Sequence, residues 1–452
     1  MEVLKKRLCS FFDSYYYPPC VALIVFLCHT FSIELVGILL LFLSIAISVI
    51  VCNDLRVIIS PLLFVTFIVS YKTYLNGNLG SYSFLTIVII SLCLFFSSVS
   101  AHFIINKKWS NLKYLPKSKL FWGIVSISLA FLLNGFFNFA NYKAINITFA
   151  LLLVFFLAFA FFLLYLGLNE RKDTLEYLIF VLYMASIILI LEMIVLFLRD
   201  AQFVDGKIVK ESLIVGWGAW NNVGGMLTML LPVHFYYAST KKHSYIFYGT
   251  AILTYLCIVL TLSRSSLLFA SIISVICVIL ICFKGHNVKV NRIITACIAV
   301  VGICGVIILW DKISNILSSY LNQGFGDNGR FDLYKHGFEN FISHPIFGGG
   351  FGSCAEDNFG HGIEPNRYHN TIIELIATCG IAGLGAYIYH RYQAVKLFIE
   401  KKKDFSVWFI GLAVLSLLLT SLLDNHIFNL YPTMYYAFIL CVLEKHKIEQ
   451  DQ

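Results

Sequence analysis

The chain has 452 residues, 59% of them hydrophobic and 13% charged, with a formal net charge of +8. Its apolar runs repeatedly exceed the length of a bilayer-crossing helix, which excludes a soluble globular protein. The lysines and arginines cluster in short stretches between those runs rather than on one face, so the charge reads as membrane topology and no nucleic-acid partner is expected.

The N-terminal stretch MEVLKKRLCSFFDSYYYPP puts basic residues ahead of the first span without a small-residue cleavage site, so it is expected to stay attached. Apolar runs then predict spans near 20–33, 35–52, 57–71, 82–105, 119–139, 144–168 and 174–198. Further spans are predicted near 220–238, 244–262, 265–283, 292–310, 369–390, 405–423 and 427–443. The first pair is the least sharply divided, being interrupted only by His29, Ser32 and Glu34. The expected fold is an all-α polytopic membrane protein of about 12 to 14 transmembrane helices with one long, partly helical extracytoplasmic loop. Residues 1–310 would form an N-terminal transmembrane bundle, 311–368 the loop and 369–452 the C-terminal transmembrane helices, all within one membrane domain. The 13 cysteines include no CxxC pair and nearly all lie in apolar runs, where they act as small hydrophobes.

Compact basic clusters, NKKWSNLKYLPKSK at 106–119 and RYQAVKLFIEKKKD at 391–404, fall on the same side as the N-terminus. The positive-inside rule therefore predicts cytoplasmic N- and C-termini and sets the long loop on the outer face. Within that loop, Ile313, Ile316, Leu317, Tyr320 and Leu321 follow helical spacing in DKISNILSSYLN. After the break QGFGDNG, a second amphipathic helix is expected, with Phe331, Tyr334, Phe338, Phe341 and Ile342 on one face. Asp327 or Asn328 would cap it and His344-Pro345 would end it. Such a loop folds down over the mouth of the membrane domain.

The chemistry-bearing positions gather around this loop. Arg264, in LTLSRSSLL, stands where the connection between two spans shrinks to almost nothing. It reads either as a snorkelling side chain or as a phosphate ligand in a cavity open to the outer leaflet. Arg330 begins the second loop helix, where an anion would meet a guanidinium fork and the positive end of a helix dipole. Arg367 is a further candidate. His369, with an ordinary pKa near ~6.5, is placed to take a proton from a hydroxyl, or to serve as an interfacial anchor. Glu374, over one turn deeper, would orient a polar partner or make a helix–helix hydrogen bond. The glycines of HPIFGGGFG offer backbone amides to an anion or simply a tight turn. AEDNFGHG lacks the spacing of a metal site, and no metal or other cofactor is expected.

The ordered set LTLSRSSLL, GRFDLYKHGFENFISHPIFGGGFG and RYHNTIIELIATCGIAGL resembles the O-antigen ligase and polysaccharide polymerase superfamily, over about residues 258 to 390. The resemblance implies transfer of a glycan from an undecaprenyl diphosphate carrier to an acceptor hydroxyl, outside the bacterial cytoplasmic membrane. It implies that Arg264 and Arg330 bind the carrier diphosphate and that His369 activates the acceptor, with Asn370 beside it. Tyr334 departs from the family's common tryptophan but keeps an aromatic ring. The number of spans before the loop favours a polymerase over a ligase. Membrane lipids are expected partners, with chain-length regulator and flippase proteins as further ones. A transporter of lipid-linked glycans is the rival reading, but it would show paired repeats and polar groups at the midplane.

Overall fold

The computed structural model describes residues 2–70, 81–138, 144–204, 207–308, 310–311, 314, 329–354 and 367–447. The first loop helix, the break QGFGDNG up to residue 328 and AEDNFGHG fall almost entirely outside the described residues.

Helices form nearly all of the regular structure. In chain order they are α1 (Glu2–Phe12), α2 (Tyr17–Phe31), α3 (Glu34–Val51), α4 (Ile59–Phe64), α5 (Tyr82–Ile105) and α6 (Phe121–Leu132). There follow α7 (Ala144–Val154), α8 (Ala160–Gly167), α9 (Thr174–Val195), α10 (Trp220–Thr240), α11 (Ser244–Leu260) and α12 (Arg264–Phe283). The last five are α13 (Val288–Ile308), α14 (Arg330–Ser343), α15 (Thr371–Lys401), α16 (Phe405–Asp424) and α17 (Leu430–Lys445). Two-residue strands at Phe203–Val204 and Lys207–Ile208 pair antiparallel in the connection between α9 and α10.

Eight helical segments among the described residues are long and apolar enough to cross a membrane, or up to ten if each of two bent pairs is one span. That is fewer than the expected 12 to 14. The predicted spans outside this set are short, or too polar in composition to count. Leu55–Phe67 and Ser244–Leu260 are apolar but short. α10 spans 21 residues and α17 16, and both are buried along most of their length. The division between α2 and α3 falls at Ser32, whose left-handed φ of 56° breaks the helix.

α15 is one helix by its hydrogen bonds but is broken at Gly380, where φ is 63° and ψ −158°. The break leaves backbone groups without helical partners, and the glycine-rich segment supplies them. Gly349 N donates to Ala377 O at 2.7 Å and Gly350 N to Thr378 O at 3.1 Å. In return Ile381 N donates to Pro345 O at 2.9 Å and Ala382 N to Ile346 O at 3.1 Å. Contact is so close that a Cβ at Gly348 would lie 2.3 Å from the Thr378 carbonyl carbon. On its other side the segment meets the end of α6, where Gly135 N donates to Phe347 O and Asn134 Oδ1 accepts from Phe351 N, both at 2.8 Å.

α14 lies against the start of α15. It buries Gly337, whose Cβ position would meet Ile373 and Tyr368, while Phe331, Phe338 and Ile342 of the expected aromatic face are exposed. The helix ends at Ser343, as the His344-Pro345 pair predicts. Its N-cap is Gly329, at φ 77°, with no side-chain cap; Asp327 and Asn328 lie outside the described residues.

Candidate active site

One carboxylate organises one end of the bundle. Asp424 is the last residue of α16 and its side chain is 3% exposed. Four helix starts converge on it. Asn221 in the first turn of α10 donates to Oδ1 at 3.0 Å, and Ser265 in the first turn of α12 donates to Oδ2 at 2.5 Å. Arg330, the first residue of α14, donates through Nη2 to Oδ1 at 3.1 Å. His369, two residues before α15, turns Nδ1 toward the same oxygen at 3.9 Å. Helix N-termini carry partial positive charge and unpaired N–H groups, so four of them around one buried acid make an electropositive end suited to an anion.

Arg264 is the first residue of α12 and is exposed. Its neighbour Ser265 is the residue that anchors this helix start to Asp424. Arg330 is the more enclosed of the two, with a side chain 30% exposed and a single hydrogen bond to the carboxylate. Both guanidinium groups stand at helix starts on the same end of the molecule.

The His369 side chain is half exposed. Its imidazole sits below the ordinary value because its surroundings desolvate the cation; Asp424 pulls the other way, and Arg330 and Arg367 add to the lowering. The residue itself adopts φ 51°. Leu262, two residues before Arg264, and Asn425, after Asp424, share this left-handed conformation at 56° and 54°. Non-glycine residues in this region are strained, and strain of this kind clusters where the fold aims a side chain.

The supporting residues divide differently from expectation. Asn370 caps α15, its Oδ1 accepting from Ile372 N at 2.9 Å and Ile373 N at 3.1 Å, which fixes the helix start beside His369. Glu374 is buried and accepts from Tyr368 N at 2.8 Å and Asn425 Nδ2 at 2.9 Å. It therefore ties the His369 segment to the residue next to Asp424. Arg367 donates to Asn429 Oδ1 at 2.5 Å, and Asn429 donates to Asn222 Oδ1 at 2.7 Å. Its guanidinium carbon also lies 5.3 Å from the centre of the Phe149 ring.

The glycine-rich segment spends most of its amides within the protein. The N–H groups of Gly348, Gly349, Gly350 and Phe351 are all taken by protein oxygens, so the reading as a turn holds and the turn is a docking strap for broken α15. Among the described residues no group of three or more His, Cys, Asp or Glu could hold a metal ion.

Asp424 was missed in the sequence, although the signal was present: an acid at the end of the apolar run SVWFIGLAVLSLLLTSLLD is an intramembrane ionisable group, which calls for a partner by default. His426, two residues on, is buried with neither ring nitrogen hydrogen-bonded among the described residues, and its ring packs on Gly225 of α10.

No curated protein matches this chain. A family model described as O-antigen ligase matches residues 249–388, a stretch that holds Arg264, Arg330, Arg367 and His369 but ends before Asp424. That match agrees with the resemblance carried by the three motifs, and residues 249–388 are similar to the O-antigen ligase family.

Proposed function

We propose that the protein is a membrane glycosyltransferase that moves glycan repeat units from an undecaprenyl diphosphate-linked donor to a sugar hydroxyl of another lipid-linked glycan. The reaction takes place on the outer face of the bacterial cytoplasmic membrane and serves O-antigen, capsule or exopolysaccharide assembly. The observation that carries this reading is the convergence of Arg330, His369 and the Arg264-bearing helix start on Asp424, within one electropositive end of an apolar bundle.

In this reading Arg264 and Arg330 hold the donor diphosphate, where two guanidinium forks and the positive helix ends match its charge. His369 receives the proton of the acceptor hydroxyl as that oxygen attacks the anomeric carbon. The bond from the anomeric carbon to the diphosphate oxygen breaks, and the arginines stabilise the charge that grows on the leaving group. With Nδ1 turned toward Asp424, His369 presents Nε2 to the acceptor, and the imidazolium formed is stabilised by the carboxylate 3.9 Å away. A lowered pKa keeps the imidazole neutral and ready to accept a proton at neutral pH. A single displacement inverts the sugar carbon, which anomeric NMR of donor and product tests. Glu374 and Asn370 act by fixing the His369 segment, and Arg367 by fixing the connection after Asp424.

The matched family description favours a second reading, transfer of a finished glycan to lipid A core or another acceptor. Purified protein in lipid, given the undecaprenyl diphosphate-linked repeat unit as sole glycan, separates them. A ladder of products that disappears in Arg264→Ala, Arg330→Ala and His369→Ala supports the polymerase. A single transfer that requires added lipid A core supports the ligase, and movement across the bilayer without a new bond overturns both.

A further inference from the structure

Arg330 and His369 meet at Asp424 from different pieces of chain, one at the head of α14 and the other just before α15. α14 rests on a small apolar cluster, separate from the main core, made of Cys354, Tyr368 and Ala377 with Leu333 and Ile373 packed against it. Tyr368 joins the two pieces, because it belongs to this cluster and immediately precedes His369. It is fully buried, and its ring lies against Gly337 of α14, where a Cβ would come within 3.1 Å of it. The absence of a side chain at Gly337 lets the helix sit directly on the ring.

The hydroxyl adds a second hold. It accepts from Asn340 Nδ2, one turn past Gly337, at 2.7 Å and lies 3.3 Å from Ser353 Oγ. The same Nδ2 donates to Ser353 O at 2.9 Å, so one amide ties α14 to both the His369 segment and the end of the glycine-rich strap. Tyr368 is itself fixed from behind, since its N–H donates to buried Glu374 at 2.8 Å. A buried phenol needs a partner, and here the partner is on the helix that carries Arg330.

These contacts make a lever of α14. Gly337 on the ring is the pivot, with Asn340 about 4.5 Å along the helix on one side and Arg330 about 10 Å along it on the other. A slip of about 1 Å at Asn340 therefore swings Arg330 by about 2 Å. Arg330 reaches Asp424 through a hydrogen bond of 3.1 Å, which a swing of that size breaks.

We infer that Tyr368 is a positioning residue, whose hydroxyl sets the place of Arg330 relative to His369 through Asn340. This role rests on the proposed reaction, in which Arg330 holds the donor diphosphate. Its test uses the full chain in lipid nanodiscs and compares Tyr368→Phe, which removes the hydroxyl and keeps the ring, with Arg330→Gln and with the double variant. Affinity for undecaprenyl diphosphate and the kcat and donor KM of glycan transfer are measured for each. Tyr368→Phe is expected to weaken undecaprenyl diphosphate binding and to raise donor KM by about tenfold, and to change neither when added to Arg330→Gln. Asn340→Leu should reproduce Tyr368→Phe. A hydroxyl that only stabilised the fold would instead lower the active fraction, reducing kcat in both backgrounds and leaving KM alone. A donor KM like the parent's in Tyr368→Phe, or an equal penalty with and without Arg330, overturns this role and leaves the reaction standing. A parent protein that neither binds undecaprenyl diphosphate nor transfers glycan overturns the reaction and this role with it.

Discussion

The two ends of the bundle each gather arginines and acids, and they do so to opposite effect. At the end away from the candidate site, Arg56 is buried and every arm of its guanidinium is engaged. Nε and Nη2 donate to Asp13 Oδ1 at 3.0 and 2.7 Å, Nη1 donates to Asp173 Oδ2 at 2.6 Å, and the Tyr177 ring lies 4.6 Å below. Arg171 closes the same ring of charges, donating to Asp13 Oδ2 at 2.6 Å and to Asp173 Oδ1 at 3.1 Å. At the Asp424 end, Arg330 makes one bond to the carboxylate and Arg264 is exposed. A saturated network has no donors left for a ligand and serves as a clamp. The two arginines at the Asp424 end stand at helix starts and are partly or fully exposed, where an anion can reach them.

The largest expected effect that would break this contrast lies in catalysis. His369→Ala should lower glycan transfer by about 10²–10⁴-fold, the range of a lost general base, with the unfolding temperature unchanged because the side chain is half exposed. Transfer within a few-fold of the parent would remove His369 from the mechanism. The next effect is on stability. Arg56→Ala removes a buried guanidinium and leaves Asp13 and Asp173 to Arg171 alone, and should destabilise by about 3–5 kcal/mol, whereas Arg330→Ala leaves Asp424 still bonded by Asn221 and Ser265 and should cost less while impairing transfer. Thermal unfolding in lipid together with the transfer assay checks the pair, and equal losses of stability would erase the distinction between clamp and site.

Smaller again is the strap. Gly380→Ala places a side chain at φ 63°, 2.5 Å from the Ile346 carbonyl carbon, and should cost about 1–3 kcal/mol. Hydrogen exchange should rise at Gly349, Gly350, Ile381 and Ala382, the amides whose bonds depend on the break. The smallest effect is a displacement in pH. His369 must be neutral to act, so activity falls as pH drops through its lowered pKa. Asp424 raises that pKa and Arg330 lowers it. Asp424→Asn should therefore move the acid limb of residual activity to lower pH, and Arg330→Gln should move it to higher pH. Limbs that stay in place, or move the other way, would separate His369 from both neighbours.

Much of the molecule was legible in the chain because lipid imposes one simple demand, that every backbone group be satisfied within an apolar helix. Hydropathy therefore located the helices, and an arginine or histidine beside a span stood out against it. The helix starting at Arg330 and ending before His344-Pro345 follows from its amphipathic spacing and its stop signal. Span count was less legible, because several apolar runs fold into helices that are short or interrupted by polar residues, as α10 is by Asn221, Asn222 and His234. The partner of Arg330 lay 94 residues away, at the far end of α16, and no local pattern links the two.

The sequence by itself determined the membrane class, the helical spans and the three motifs that carry the family resemblance, since these are local properties of composition and spacing. Only the tertiary structure decided that Asp424 joins the starts of α10, α12 and α14 with His369 beside it, and that the glycine-rich segment pairs with a broken helix. Such pairings depend on which helices become neighbours, and that choice is made by the packing of the whole bundle rather than by any one segment.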